Sequence, residues 1–212
     1  MDADTIVRQA LTLLRQDGLA GVTFRKLTTS LQVKAPAIYW RFNDKQELLE
    51  AMAEAILQEQ LADLTPLQSG QPWQPWLAGV LHRLRRALLT YPDGARVVTG
   101  ARPTGTPTIA RIAEYGLRAL QDGGLTLPEA ANVVFTSIHY TFGHAIEEQD
   151  STGAHTMDDK TAEEFVRTYP TIARAMVEAR STGVTGDDIF DAGISLIIGT
   201  RAPAGIEPDT DR

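Results

Sequence analysis

Thr23–Lys45, TFRKLTTSLQVKAPAIYWRFNDK, is the stretch from which the rest of the chain can be read. Its apolar residues fall into two short helical ridges: Leu27 and Leu31 are spaced i, i+4, and Ile38 and Phe42 repeat that spacing. Thr23 is placed to cap the first helix, and Pro36 suits the first turn of the second. Only Gln32, Val33 and Lys34 lie between them. That is the connection length of a helix-turn-helix, whose second helix is free to enter a DNA major groove. Tyr39, Trp40 and Arg41 are too large or too charged for a helix whose inner face is already filled. They are expected outside, Tyr39 and Arg41 against phosphates and Trp40 against sugar edges.

The composition around this stretch sets limits. With 212 residues, 43% hydrophobic and 22% charged, the chain can bury a sizeable core in one or two domains. No run reaches the ~18 apolar residues of a membrane span, and the N-terminus lacks a signal-peptide pattern. No membrane contact and a cytoplasmic location are therefore expected. Cysteine is absent, which excludes disulfides, thiolate catalysis and Cys-based metal sites. The net charge of −7 at pH 7 runs against a polyanionic partner, but it is unevenly spread. Residues 1–50 hold seven Lys/Arg and six Asp/Glu, whereas residues 51–212 hold thirteen and twenty-one. Within 23–45, Arg25, Lys26, Lys34, Arg41 and Lys45 face a single acid, Asp44. A small basic tip on an acidic body still turns the tip toward DNA. Its modest phosphate footprint calls for two tips acting together.

Outward from the tip, every segment reads as helix, so the fold class is all-α. Asp4–Asp17 is amphipathic and stops at Gly18. Asp44 and Glu47 make a capping-box-like start for a connecting helix over 45–64, a lever between head and body. Thr65-Pro66 to Pro72 is a loop and the domain boundary. Helices follow over 73–89 and 108–120, with Val97-Val98 too short for more than a turn or two and 102–107 an irregular loop. Thr126, Pro128 and Glu129 open a helix to about Gln149. Residues 150–159 read as polar and mobile, helices lie near 160–180 and at 187–199, and the tail over 201–212 reads as disordered. This gives a helix-turn-helix domain at 1–47 and a second helical domain at 48–200.

Ala10-Leu11, Gly18, Thr23, Arg25-Lys26-Leu27, Ile38-Tyr39-Trp40-Arg41-Phe42, Lys45 and Leu48-Leu49 together resemble the DNA-binding domain of the tetracycline-repressor (TetR) family. One departure is visible. The family places Gly in the turn where this chain has Gln32, and a non-glycine residue at positive φ is disfavoured. In the second domain, Trp73-Gln74, Arg85–Leu89, Tyr91, Asp93–Ala95, Gly100, Arg102-Pro103, His139, Thr141, Gly143, Glu147 and Gln149 are similar to the tetracycline repressors themselves. The resemblance implies that 48–200 is a ligand-binding and dimerisation domain, in which helices 128–149 and 187–199, punctuated by small residues, form a four-helix bundle across a two-fold axis. Paired heads ~34–36 Å apart would then meet successive major grooves of a palindrome. The magnesium–tetracycline ligands of the subclass do not carry over. They fall on Ala62, Val80 and Val98, which implies a retained but more apolar pocket.

Expected DNA contacts are Thr23, Arg25, Lys26, Lys34, Ala35, Pro36, Ala37, Tyr39, Trp40, Arg41 and Lys45. Arg25 can reach a guanine bidentately, worth ~1–3 kcal/mol of discrimination, while Ala35, Pro36 and Ala37 can only pack on thymine methyls. The pocket candidates are Trp76, His82, Leu84, Arg102, Pro103, Tyr115, His139, Phe142 and Glu147. Arg102, in a Gly/Pro loop, is placed to face a cavity and hold an acidic or carbonyl group. His144 and Glu148 at i, i+4 are too few ligands for a metal, so no metal or cofactor is expected. There is no G-x-S-x-G, phosphate loop, H-E-x-x-H or Rossmann glycine signature, which leaves no enzyme reading. The function expected is that of a homodimeric repressor, released from a palindromic operator by a small, largely hydrophobic effector. The alternative is a ligand-sequestering or partner-binding helical protein with a vestigial head.

Overall fold

The computed structural model of the chain describes residues 1–152 and 158–199, which fold into eleven α-helices with no strand among them. The head comprises α1 (Ala3–Gly21), α2 (Phe24–Leu31) and α3 (Pro36–Tyr39). From it α4 (Lys45–Leu61) leads into a body of α5 (Trp73–Leu89), α6 (Gly94–Thr99), α7 (Pro107–Asp122), α8 (Leu127–Thr152), α9 (Asp159–Thr168), α10 (Pro170–Ser181) and α11 (Gly186–Gly199).

The caps read from sequence are in place. Glu47 donates its N–H to Asp44 Oδ1 at 2.8 Å, and its carboxylate accepts the Asn43 N–H at 2.8 Å. At α8 the Glu129 carboxylate accepts from the N–H and hydroxyl of Thr126, at 2.8 and 2.7 Å. Gly18 breaks α1 with φ 65° and ψ −173°, but one further turn runs on to Gly21. A side chain at 18 would adopt a left-handed backbone and put its Cβ 2.9 Å from the Asp93 carboxylate, so glycine is required on both counts.

Several element boundaries differ from the sequence reading. The helix expected near 160–180 is two helices. Tyr169 sits at φ −127°, ψ 60° because the following Pro170 bars it from the helical region. The connecting helix ends at Leu61 rather than 64, and α8 continues to Thr152 rather than Gln149. Of the stretch 150–159 expected to be mobile, Asp150 and Ser151 belong to α8 and Asp158 caps α9. Residues 153–157 and the tail over 201–212 lie outside the described residues.

One apolar core runs through both halves. Ile6, Ala10, Leu14, Leu27 and Ile38 are fully buried in the head, and Leu48, Met52, Ile56, Leu57 and Leu61 continue the core along α4. In the body α4 packs on α5, α6 and α7, while α8 packs on α5, α7 and α11. Arg85 fixes α11 to this layer. Its guanidinium is buried, donates twice to Glu148 (2.9 and 2.8 Å) and once to Asp187 (2.6 Å), and lies 5.1 Å over the Phe190 ring. Gly193 is a close approach: a Cβ there would meet the Tyr140 hydroxyl at 2.1 Å. By contrast, the outer faces of α8 and α11 leave Phe135, Ile189 and Leu196 exposed.

Candidate nucleic-acid interface and effector site

The head is built by local rules. The Thr23 hydroxyl accepts the Lys26 N–H at 3.2 Å and starts α2. Gln32 ends it in the left-handed region, φ 53° and ψ 42°. The Gln32 N–H returns to Thr29 O (3.2 Å) and the Val33 N–H to Thr28 O (3.0 Å), a Schellman motif made without glycine. Pro36 opens α3, whose turns run on through Trp40 N–H to Pro36 O and Phe42 N–H to Ile38 O, both 3.0 Å. Ile38 and Phe42 face the core, as their spacing predicts, and the opposite face is thereby turned out. Tyr39 is 52% exposed and Trp40 87%. The Tyr39 ring meets Phe24 edge-on, centroids 5.0 Å apart, so α2 and α3 hold it between them.

Arg25, Lys34, Ala35, Pro36, Arg41 and Lys45 are exposed with these aromatics, and Ala37 is half-buried. Three of the expected contacts are already engaged. Thr23 is the cap, Lys26 Nζ pairs with Asp17 Oδ2 at 2.7 Å, and Arg41 Nε donates to Met1 O at 3.2 Å. Arg25 lines a groove of about 280 Å³ with Leu13, Lys26, Thr29 and Ser30.

Five contacts among the described residues tie the head and α4 to α6 and its flanking turns. The Leu19 N–H, just past the Gly18 break, donates to Asp93 Oδ2 at 2.7 Å. Asp93 itself holds a left-handed backbone, φ 56°, at the entrance to α6. Arg15 lies 4.7 Å over the Tyr91 ring, whose hydroxyl donates to Glu59 Oε1 at 2.6 Å. On α4, Gln46 donates to Gly100 O at 3.0 Å and Glu50 pairs with Arg102. The Arg102 guanidinium holds the Glu50 carboxyl below the usual carboxylate range.

The effector candidates do not converge. Trp76 and His82 share a groove of about 590 Å³ with Leu64, Val80 and Arg83. His82 Nε2 lies 2.7 Å from Asp191 Oδ1, and its ring packs against Phe190. Leu84 is fully buried in the core. Arg102, expected to face a cavity, turns instead to Glu50 on α4, because a carboxylate within reach outcompetes an empty space for a guanidinium. Tyr115 and Phe142 are half-buried, and His139 and Glu147 are exposed on α8. The Pro103 side chain lies outside the described residues. Val80 and Val98 are buried, and Ala62 is exposed. His144 Nε2 stands 3.8 Å from Glu148, whose carboxylate is engaged by Arg85. Among the described residues no group of three His, Asp or Glu side chains could hold a metal.

Residues 6–52 match the family described as "Bacterial regulatory proteins, tetR family", and residues 65–207 match "Tetracyclin repressor-like, C-terminal domain". The chain belongs to the TetR family. It is 33% identical over 201 residues to the tetracycline repressor protein class C of Escherichia coli, covering 94% of this chain and 90% of that one. It superposes on a TetR variant from Acinetobacter baumannii AYE crystallised with minocycline, with a TM-score of 0.72, 30% identity, and 94% and 95% of the two chains covered. A third likeness is to BioQ bound to its double-stranded DNA operator, with a TM-score of 0.63, 30% identity, and 71% and 88% covered. The all-α fold is thus a TetR fold, and the chain is a DNA-binding transcriptional regulator.

Within that fold, sequence reasoning missed the seam residues Arg15, Gln46 and Glu50, and noted Tyr91 and Asp93 as TetR-like residues without their contacts. Asp93 and Leu19 stand 74 positions apart, so no local pattern links them. The one available signal was Gly18, whose position marks a close approach as well as a helix stop. Gln149 was noted only as a TetR-like residue. Its amide donates to Leu88 O (3.0 Å) and Tyr91 O (2.8 Å), clasping the turn between α5 and α6.

Proposed function

We propose that this TetR-family regulator is a homodimeric repressor with a reading head at 1–47 and a ligand-binding and dimerisation body at 48–200. Two heads engage a palindromic operator, and a small, largely hydrophobic effector in the body releases it. The observation that carries the reading is the α3 crest, where Tyr39 and Trp40 stand exposed beside Arg25, Lys34, Arg41 and Lys45 while Ile38 and Phe42 anchor it from below. Arg25 reads a base edge, Tyr39 and Lys45 hold phosphates, and Ala35, Pro36 and Ala37 pack on thymine methyls. Exposed Phe135, Ile189 and Leu196 on α8 and α11 supply the apolar face for a second copy.

The effector occupies the α5 groove at Trp76 and His82, and the signal leaves through α4. Gln46 and Glu50 tie that lever to the α6 end, so an effector must favour the geometry that is wrong for DNA. The protein works in the cytoplasm and catalyses no reaction. No helix among the described residues is long and apolar enough to cross a membrane. Fluorescence anisotropy on DNA upstream of its own coding region tests the reading. Tyr39→Ala is expected to weaken binding about tenfold, the ~1.4 kcal/mol scale of one good contact, with the dimer unchanged in sedimentation. Failure of the unaltered protein to bind any such duplex, or a monomeric Tyr39→Ala variant, contradicts it.

A further inference from the structure

A cavity of about 620 Å³ lies among the first turn of α5, the α7–α8 turn, the start of α8 and the end of α11. It shares no lining residue with the α5 groove assigned to the effector. Its apolar walls are Trp73, Leu125, Val133 and Ile198. The Trp73 indole packs closely on the backbone of Gly123, where a Cβ would come within 2.4 Å of the ring, so glycine is required at that wall. Volume and lining are those of a small-molecule site.

One side chain gives the cavity a sign. Among the described residues, Glu129 is the only ionisable group in the lining; the others are apolar, glycine, or the neutral Gln74 and Ser195. Both hydrogen bonds from Thr126 go to Glu129 Oε2, which leaves Oε1 without a hydrogen bond among the described residues. Those bonds also hold the carboxyl below its ordinary range, so it is charged at neutral pH. An anionic guest would meet a like charge on an acidic body; a cation finds a partner. We propose that this cavity binds a lipophilic organic cation, its charge on Glu129 and its apolar body along Trp73, Val133 and Ile198.

Two planar probes of one shape and opposite charge test this: 9-aminoacridine, protonated at neutral pH, and acridine-9-carboxylate. In the full chain carrying Trp40→Phe and Trp76→Phe, Trp73 is the only indole left. Saturable quenching of its emission by 9-aminoacridine, one probe per chain, is expected, with none from the carboxylate. Glu129→Gln removes the charge but keeps the capping geometry, since Gln serves at that position as Glu does. It should weaken 9-aminoacridine at least tenfold with an unchanged melting curve. Val133→Phe, which fills the cavity from an apolar wall, should abolish binding while leaving helicity intact. Absence of saturation, equal binding of the two probes, or unchanged affinity in either variant overturns the proposal.

Discussion

Replacing Asp93 tests how α1 is joined to the body. Asp93 makes two separable contributions: its carboxylate accepts the Leu19 N–H at 2.7 Å, and its backbone holds φ 56°. A part-buried hydrogen bond to a charged acceptor contributes about 1.5–3 kcal/mol. A left-handed backbone costs an ordinary L-residue roughly 1–2 kcal/mol, less for Asn or Asp and almost nothing for Gly. Asp93→Ala loses the bond and adds strain, and should destabilise by about 2–4 kcal/mol. Asp93→Gly loses the bond but relieves the backbone, against an unfolded-state entropy cost of roughly 0.4–1 kcal/mol, and should fall about 1 kcal/mol short of the Ala loss. Asp93→Asn keeps an acceptor and tolerates the conformation, so its loss should be smallest, about 1 kcal/mol. Urea unfolding of the four proteins at constant m-value reads this order directly. A Gly variant less stable than Ala, or an Asn variant as damaged as Ala, refutes the division into bond and backbone.

Three further outcomes follow from particular contacts. Gln32→Gly should raise stability by roughly 0.5–1 kcal/mol, seen as a higher melting temperature, because the exposed side chain is dispensable and φ 53° suits glycine. Arg85→Ala leaves Glu148 and Asp187 without their partner; because Asp187 is largely exposed, the loss should be about 3 kcal/mol rather than more, with α11 loosened in hydrogen exchange. Glu50 titrates lower in the folded chain than unfolded, so its pairing with Arg102 stabilises above the ordinary carboxylate value of 4.5 and is lost as pH falls below it. The stability gap between the unaltered protein and Glu50→Gln should therefore close on acidification from pH 4.5 downward; a gap that widens there reverses the assigned sign.

The sequence by itself determined whatever is settled within a helical turn or two. Leu27 with Leu31 and Ile38 with Phe42 dictated which faces of the head turn inward, and so which residues remain for DNA. Thr23, Asp44 and Thr126 started helices where they were expected to, because a cap bonds to an N–H only a few residues away. Gln32 declared its left-handed backbone through the missing glycine. Tertiary structure alone decided the rest. It committed Lys26 to Asp17, turned Arg102 onto Glu50, scattered the effector candidates, and set Asp93 against Leu19. Those partners lie up to 74 residues apart, and which side chains meet across such a span depends on how whole helices cross, which no local period encodes.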